Sequence, residues 1–458
     1  MTATEPARTN PRMLDLAALR SAVDEGTIDT VVVAFTDMQG RLQGKRLHAA
    51  YFLDFALEHG TEGCNYLLAV DVEMNTVDGY AISSWERGYG DLAFELDLST
   101  LRRLPHEPAS AMVQCDLTWL DGRPVEQSPR RILRRQLDRA AALGYTALAG
   151  TELEFVIFRD SYEEAQRRDY RELTPANLYN IDYSLLGTAR VEPLLRAIRN
   201  ATYAAGMNVE SAKGECNLGQ HEIGFLYDEA MVTADNHSVY KTMAKEIAAQ
   251  HGQSITFMAK PNEREGNSCH IHLSLRGKDG ELVFDTGDGP TPIYRSFIAG
   301  MLATMRDHTL LYAPNINSYK RFADASFAPT AIAWGEDNRT CAIRTVGHRG
   351  SARLENRVPG GDVNPYLALA AMLASGLDGI EQQLELEPAL AGNAYAAGRE
   401  RVPGTLAEAR DAFAGSAAAR AAFGDEVVDH YVNMADVELA AFGAAVTDWE
   451  LRRGFERL

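Results

Sequence analysis

The sequence predicts an α+β fold in two units: a small mixed unit first, then a larger one built on a curved sheet backed by helices. Three observations carry that prediction. Four separate segments alternate charged and apolar residues with a period of two, the signature of strands with one face in a core and the other turned to something polar. Between them run long Ala-rich stretches with few breaks, Ala230 to Gln250 and Pro365 to Gln383 above all, which read as helices. The chain has 458 residues, too many for one ordinary core.

The central stretch is EGNSCHIHLSL, Glu265 to Leu275. As a strand it sets His270, His272 and Ser274 on one side and Cys269, Ile271, Leu273 and Leu275 on the other. Buried imidazoles need partners, so the first side must meet metal, phosphate or water. In Gly150 to Phe158, Glu152 and Glu154 share a face opposite Leu153, Phe155 and Ile157. In Arg353 to Val358, Arg353, Glu355 and Arg357 share one, and in Gly214 to Ile223 the carboxylates Glu215 and Glu222 flank a turn. Carboxylates side by side repel unless a cation lies between them. Glutamates with an imidazole are the donor set of hard divalent ions such as Mg²⁺ or Mn²⁺, and the arginines among them suit phosphate or carboxylate groups.

In chain order, residues 1–12 read as a flexible tail: polar, with two prolines and no signal-peptide core. A helix is expected from Met13, stopped by Gly26. Thr30 to Phe35 is a buried strand, Asp37 to Gly40 a turn, Arg41 to His48 a second strand and Tyr51 to Glu58 a short helix. Residues 13–108 form the first unit, and 109–458 the second. The second opens with a strand, Ala111 to Leu117, then an amphipathic helix from Pro129, whose proline suits a first turn. Ser161 to Tyr183 is a polar surface excursion, Val191 to Ala205 a helix, and Met207 to Glu210 a strand leading to the Glu215/Glu222 turn. One helix is expected from Tyr294 to Asp307, and Leu406 to Trp449 is mainly helical.

The net charge of −19 argues against a general nucleic-acid or anionic-membrane binder. Five cysteines without a C-x-x-C pair read as reduced thiols and a cytoplasmic setting. No apolar run reaches the length of a membrane span. Cys216 and Cys269 are assigned to core packing, His221 to a structural role, and His48, His59, His106, His237, His251, His308, His348 and His430 to surfaces and helix ends.

Six segments in order (GTELEF, KGECNLGQHEIGF, GNSCHIHLSL, NSYKRF, NRTCAIR and RLENRVPGGDVNPYLALAA) resemble the signatures of the glutamine synthetase family, type I. The resemblance runs from about Thr30 to the C-terminus and leans toward actinobacterial paralogues that join glutamate to amines other than ammonia. It implies an N-terminal β-grasp domain, a catalytic domain with a curved antiparallel sheet, and a dodecamer of two hexameric rings with active sites shared between subunits. It implies ATP and two to three Mg²⁺ or Mn²⁺ ions per site. By matching motifs, Glu154, Glu215 and Glu222 resemble the ligands of the metal on the glutamate side, and Glu152, His270 and Glu355 those of the metal on the nucleotide phosphates. Glu210, His272, Ser274, Arg344 and Arg353 resemble ATP contacts, with Tyr227 near the adenine. Arg321 and Arg357, with the backbone of Gly266, resemble the binders of the glutamate carboxylate, and Arg339 the arginine that neutralises the transferring phosphoryl group. The chemistry implied is activation of the γ-carboxylate of L-glutamate as an acyl phosphate, then attack by a deprotonated amine.

Two departures bear on the amine. Where ammonia-using members carry an aspartate-glycine-serine-serine segment toward the ammonium pocket, this chain has Glu62-Gly63-Cys64-Asn65. Where they carry a proton-accepting glutamate in the loop after NSYKR, this chain has Phe327. An apolar ring neither binds ammonium by charge nor takes its proton, so the pocket predicts an amine with a carbon body. Ethanolamine is the first choice, a polyamine the second and ammonia the third; a catalytically silent binding protein is a fourth reading, opposed by the complete ligand set. Glu62 or Asp324 is the proposed proton acceptor, and Asn65 and Phe327 line the pocket. Tyr395 aligns with a tyrosine that relatives adenylylate, but its different surroundings predict no such control.

Overall fold

The computed structural model describes residues 12–458; the expected tail falls on residues 1–11 outside that range, whereas Arg12 is anchored, its Nη2 3.0 Å from Asn208 Oδ1. A helix at Leu16–Asp24 precedes the first sheet. Strand β1 (Thr30–Thr36) is almost wholly buried, as its Val/Ala/Phe run requires, and turns back into β2 (Leu42–His48). Asp37 makes that turn: its Oδ1 accepts from the amides of Gln39 (3.0 Å) and Arg41 (2.9 Å). A helical segment, 49–59, leads to β3 (Thr61–Cys64), and β4 (Asp91–Arg103) and β5 (Ser110–Trp119) complete a sheet of order β2-β1-β5-β4-β3.

β5 corrects the division drawn at residues 108 and 109. It lies inside the first sheet, parallel to β1 and antiparallel to β4, so that boundary would cut between two hydrogen-bonded neighbours. The apolar run was legible, but the partner of a buried strand is a non-local choice that the run does not encode.

The second sheet has β6 (Tyr145–Phe158), β7 (Val209–Gly214), β8 (Gln220–Phe225), β9 (Asp228–Glu229), β10 (Ser254–Thr256), β11 (Cys269–Gly277), β12 (Trp334–Glu336), β13 (Ile343–Val346) and β14 (Arg353–Asn356). Its main path is β12-β13-β14-β11-β6-β8-β7, antiparallel apart from the β12–β13 pair. β11 behaves as its alternation predicts. Cys269, Ile271, Leu273 and Leu275 are all fully buried, and each full-sized aliphatic side chain contributes about 1.5–3 kcal/mol relative to exposure.

Behind this sheet lie the helices Pro129–Ala142, Glu192–Ala204, Ala230–Gln250 and Pro365–Glu381, the last buried along almost its whole length. Helix Pro292–Ala303 crosses it closely: a Cβ on Gly379 would lie 2.0 Å from the carbonyl oxygen of Ser296, so only glycine permits the approach. The single helix expected over Tyr294 to Asp307 is two helices, broken at Thr304, whose hydroxyl bonds Ser375 Oγ (2.6 Å) and the carbonyl of Gly300 (3.1 Å). Helices also fill most of Leu406 to Gly454.

The two sheets are joined by buried polar contacts. Asn364 caps helix Pro365–Glu381 through its Oδ1, which accepts from Tyr366 N (3.2 Å), while its Nδ2 donates to the carbonyls of Asp37 (3.0 Å) and Met38 (3.1 Å). Arg130 reaches Asp97 (2.5 Å) and Asp116 (2.7 Å) of the first sheet and Asp235 (3.0 Å) of helix Ala230–Gln250.

Candidate active site

Residues directly opposite on neighbouring antiparallel strands share a face, so the register ranks the charged residues across the second sheet. One rank runs Lys213 on β7, Glu222 on β8, Glu154 on β6. A second pairs Glu152 on β6 with His270 on β11. A third runs Arg344 on β13, Glu355 on β14, His272 on β11. All project from the face opposite the buried aliphatic residues.

Two cages result. Glu154, Glu215 and Glu222 each bring a carboxylate oxygen within 4.8 Å of the others. Glu154 Oε2 is fixed by Ser268 N (2.6 Å) and Gln220 Nε2 (3.1 Å). Lys213 ion-pairs with Glu215 and lies 3.7 Å from Glu222 Oε2. Burial pushes the Glu222 carboxyl up to about 8; Lys213 opposes the rise, and Glu152 and Glu154 add to it.

The other cage gathers oxygens or nitrogens of Glu152, His272 and Glu355 within 4.8 Å. His270 adjoins it, its Nδ1 3.2 Å from Glu152 and 3.5 Å from Glu355. The geometry therefore gives both histidines access to carboxylates that the family pattern assigned to His270 alone. Burial works upward on Glu152, but His270 and His272 outweigh it and hold its carboxyl well below the usual range. Glu355 is fully buried; burial again works upward and is outweighed by His270, Arg357 and His272, so its carboxyl is also depressed. Arg357 Nη1 (2.5 Å) and Arg344 Nη1 (2.9 Å) pair with its two oxygens.

The donor sets fit divalent ions. Hard carboxylate oxygens crowd in both cages, and His270 Nε2 is buried without a hydrogen-bond partner.

Around the cages the expected residues divide. Arg353 Nε lies 3.2 Å from His272 Nδ1, and Ser274 Oγ donates to the carbonyl of Ala352 (2.9 Å). Glu210 sits at a β-bulge between Val209 and Ser211 and is exposed; Tyr227 is exposed in the link to β9. Arg339 is exposed beside the β12–β13 connection. Gly266 is required by contact: a Cβ would lie 2.4 Å from the carbonyl oxygen of Ala259 and 3.0 Å from Arg321 Cγ.

Arg321, expected as a binder of the glutamate carboxylate, is buried against backbone. It is 2% exposed, and its guanidinium donates to the carbonyls of Val358 (2.7 Å) and Arg357 (2.9 Å) and to Ser268 Oγ (3.1 Å). Burial lowers its pKa to about 10. It braces the segment just after β14 that carries Arg357.

The expected amine-side residues are spread apart. Asn65 does not line an open pocket: it is 5% exposed, its amide donating to Ile82 O (3.1 Å) and accepting from Ser83 Oγ (2.8 Å) within the first unit. Glu62 is exposed on β3, at the edge of the first sheet. Asp324 Oδ1 pairs with Arg401 Nη2 (2.7 Å). Phe327 is 60% exposed with φ +58°, and its carbonyl lies 3.5 Å from Arg357 Nη2. The hydroxyl of Tyr395 donates to Ala328 O (3.0 Å), which pins this loop.

Other assignments need correcting. Cys216 is partly exposed, with Sγ 3.6 Å from Asp182 Oδ2, because it lies in the turn where strand alternation no longer applies. His237, His308 and His430 are buried rather than at surfaces, since their helices are covered on more than one side. Lys213 and Gln220 had no expected role. Counting outward from the β7–β8 turn would have paired Lys213 with Glu222, whereas nothing local marks Gln220 as the clamp on Glu154.

Comparison with known proteins gives a consistent picture. A family model described as glutamine synthetase, catalytic domain, matches residues 126–454. The gamma-glutamylethanolamide synthetase of Streptomyces coelicolor is 65% identical over 98% of this chain and 97% of its own length. A glutamate–isopropylamine ligase of a Pseudomonas species is 39% identical over 95% of this chain and 96% of its own. A solved GmaS–ADP complex aligns with a TM-score of 0.83 at 29% identity, covering 96% of this chain and 99% of that one.

Proposed function

The chain belongs to the glutamine synthetase family, and from that membership we propose that it is an ATP-dependent ligase joining the γ-carboxylate of L-glutamate to a small organic amine, ethanolamine first among them. Enzymes of this family use ATP and divalent metal ions. The observation that carries the reading is the pair of adjacent cages on one face of one sheet, bordered by Arg344, Arg353 and Arg357. A site that brings an anionic acid and a polyphosphate together needs this density of positive charge.

Glu154, Glu215 and Glu222 would hold one ion, and Glu152 and Glu355 with His270 or His272 another; a third ion per site stays within the proposal. When bound, these ions supply neutralisation of the phosphate and carboxylate charges. Arg344 and Arg353 orient the nucleotide phosphates, with Ser274 and Glu210 beside them and Tyr227 near the base. Arg339, exposed between β12 and β13, offsets charge on the transferring phosphoryl group. Arg357 binds the glutamate carboxylate, Arg321 holds Arg357 in place, and Gly266 lets the backbone approach. The product would be γ-glutamylethanolamide with ADP and phosphate.

The choice of amine rests on Phe327 and on the 65% identity to the Streptomyces enzyme. The Phe327 ring offers apolar contact to a carbon chain and no charge to ammonium. Glu62 is proposed as the proton acceptor, delivered from the first unit of a neighbouring subunit in a dodecameric ring assembly; Asp324 is the alternative within the same chain. A β-grasp character of the first unit, a cytoplasmic setting and unmodified Tyr395 complete the proposal. Among the described residues no helix is long and apolar enough to cross a membrane.

The test is phosphate release from ATP with glutamate and Mg²⁺, comparing ethanolamine, isopropylamine, putrescine and ammonium, with mass spectrometry of the amide. Turnover with ethanolamine at least tenfold above ammonium is expected. Equal or better turnover with ammonium would overturn the amine assignment and leave a glutamine synthetase.

A further inference from the structure

Across β7, β8 and β6, the rank Lys213–Glu222–Glu154 sets two carboxylates directly opposite one another and places an ammonium on their open side. Glu215 closes the group from the start of the turn. Lys213 is the cation in this cage: it pairs with Glu215 and stands 3.7 Å from Glu222. The other cage is offset differently, by two arginines whose planar forks are locked onto buried Glu355.

A lysine differs from those arginines in the one property that matters here. Its charge sits at the end of a four-carbon stem that can rotate away without disturbing a strand. Lys213 is part-exposed, with a side-chain exposure of 27%, so there is room to leave. It also has somewhere to go: the ring of Tyr183 has its centroid 5.1 Å from Nζ, and that ring is 74% exposed. A divalent ion coordinated by the same three carboxylates would repel an ammonium that stayed among them, and both would compete for the same oxygen lone pairs.

Resting on the proposed metal-binding role of this cage, we propose that Lys213 is a displaceable internal counter-ion. It fills the Glu154–Glu215–Glu222 cage in the metal-free protein and is expelled toward Tyr183 when a divalent ion enters. Lys213 thereby sets the affinity of this cage alone, and the cage bounded by arginines binds its ion without an equivalent exchange. Once expelled, the ammonium remains beside the cage, where the substrate carboxylate is bound in the proposed reaction.

The experiment is acylation of lysines in the full-length protein with an amine-reactive ester, in the absence and presence of Mn²⁺ alone, with Lys213 modification quantified by peptide mass spectrometry. Lys213 reactivity is expected to rise at least threefold on adding Mn²⁺. A doubly substituted E154Q/E222Q protein should show no rise and weaker Mn²⁺ binding by calorimetry. In K213M the dissociation constant for Mn²⁺ at this cage should fall about tenfold. Unchanged or reduced Lys213 reactivity, in a protein whose Mn²⁺ binding does depend on Glu154 and Glu222, would overturn the counter-ion role and leave the cage intact. Mn²⁺ binding unaffected in E154Q/E222Q would overturn the cage itself, and the inference with it.

Discussion

The two cages use the same acidic side chain in opposite electrostatic settings. In the cage of Glu152, His272 and Glu355, every carboxylate faces an imidazole or a guanidinium, and burial is overcome so that the acids stay ionised. In the cage of Glu154, Glu215 and Glu222, two acids face each other and a single ammonium serves the group, so burial wins and Glu222 is pushed up to about 8. The contrast teaches that a ligand set read from sequence is not a set of equivalent ligands. Fixed charge prepares one cage in advance, whereas the other must exchange a proton or a lysine to accept an ion.

Four measurements sharpen or break that contrast. The largest effect is expected at Glu355. E355A takes the carboxylate partner from buried Arg357, while Arg344 keeps Asp337, and the loss costs about 3–5 kcal/mol of stability, whereas E215A should leave thermal stability nearly unchanged. Both should reduce ligation by a factor on the order of 10² or more. Equal melting temperatures for E355A and the parent protein would show that the second cage is not held by its arginines.

Next comes proton linkage. Below about pH 8 Glu222 carries a proton that an incoming ion must expel, so affinity at the first cage should rise with pH toward 8 and then level, by up to about tenfold per unit. The carboxylates of the second cage, already ionised, should release no proton of their own. Calorimetry of Mg²⁺ binding in buffers of different ionisation enthalpy measures the released proton, and E222Q should abolish it.

Acid stability sets the first cage against the buried histidines. Burial lowers His237 and His430 to about 3 and His221 and His308 to about 4. Their unfolded value is near 6.5, so their folded forms are neutral and the contribution is complete above about 6.5. It is lost as pH falls from there toward 3–4, by about 1.4 kcal/mol per histidine per unit. Glu222, pushed up to about 8 when folded and near 4.5 when unfolded, adds stability as pH falls between those values, so metal-free E222Q should lose stability more steeply than the parent between pH 6.5 and 4.5. Equal rates would mean that Glu222 carries no extra proton in the metal-free folded protein.

The smallest effect is expected at the amine loop. F327E should raise turnover with ammonium severalfold and lower turnover with ethanolamine, with little change in melting temperature, because the ring is 60% exposed. An unchanged amine ratio would remove Phe327 from the pocket.

What could be read in advance follows from the range of the interactions. The face of β11 was legible because alternation is a local property, and His270, His272, Glu152 and Glu154 came with it. The span of helix Ala230–Gln250 was legible for the same reason, but the burial of His237 within it was not, because helical periodicity says nothing of how many neighbours cover a helix. The membership of β5 in the first sheet, the interior position of Asn65 and the backbone contacts of Arg321 all depend on residues far along the chain. Lys213 lies between these cases, since its partner Glu222 is only a hairpin away.

The side chain of Asn364 stops the first turn of a buried helix and grips the turn between β1 and β2 with the same amide. Neither sheet can therefore melt without opening the cap of a helix on which the other depends. Although the described residues form two sheets, heating should give one calorimetric transition in the parent, and N364A should split or broaden it. The two halves would then be a single cooperative folding unit, and a fragment beginning at residue 126 would lack half of what makes it fold.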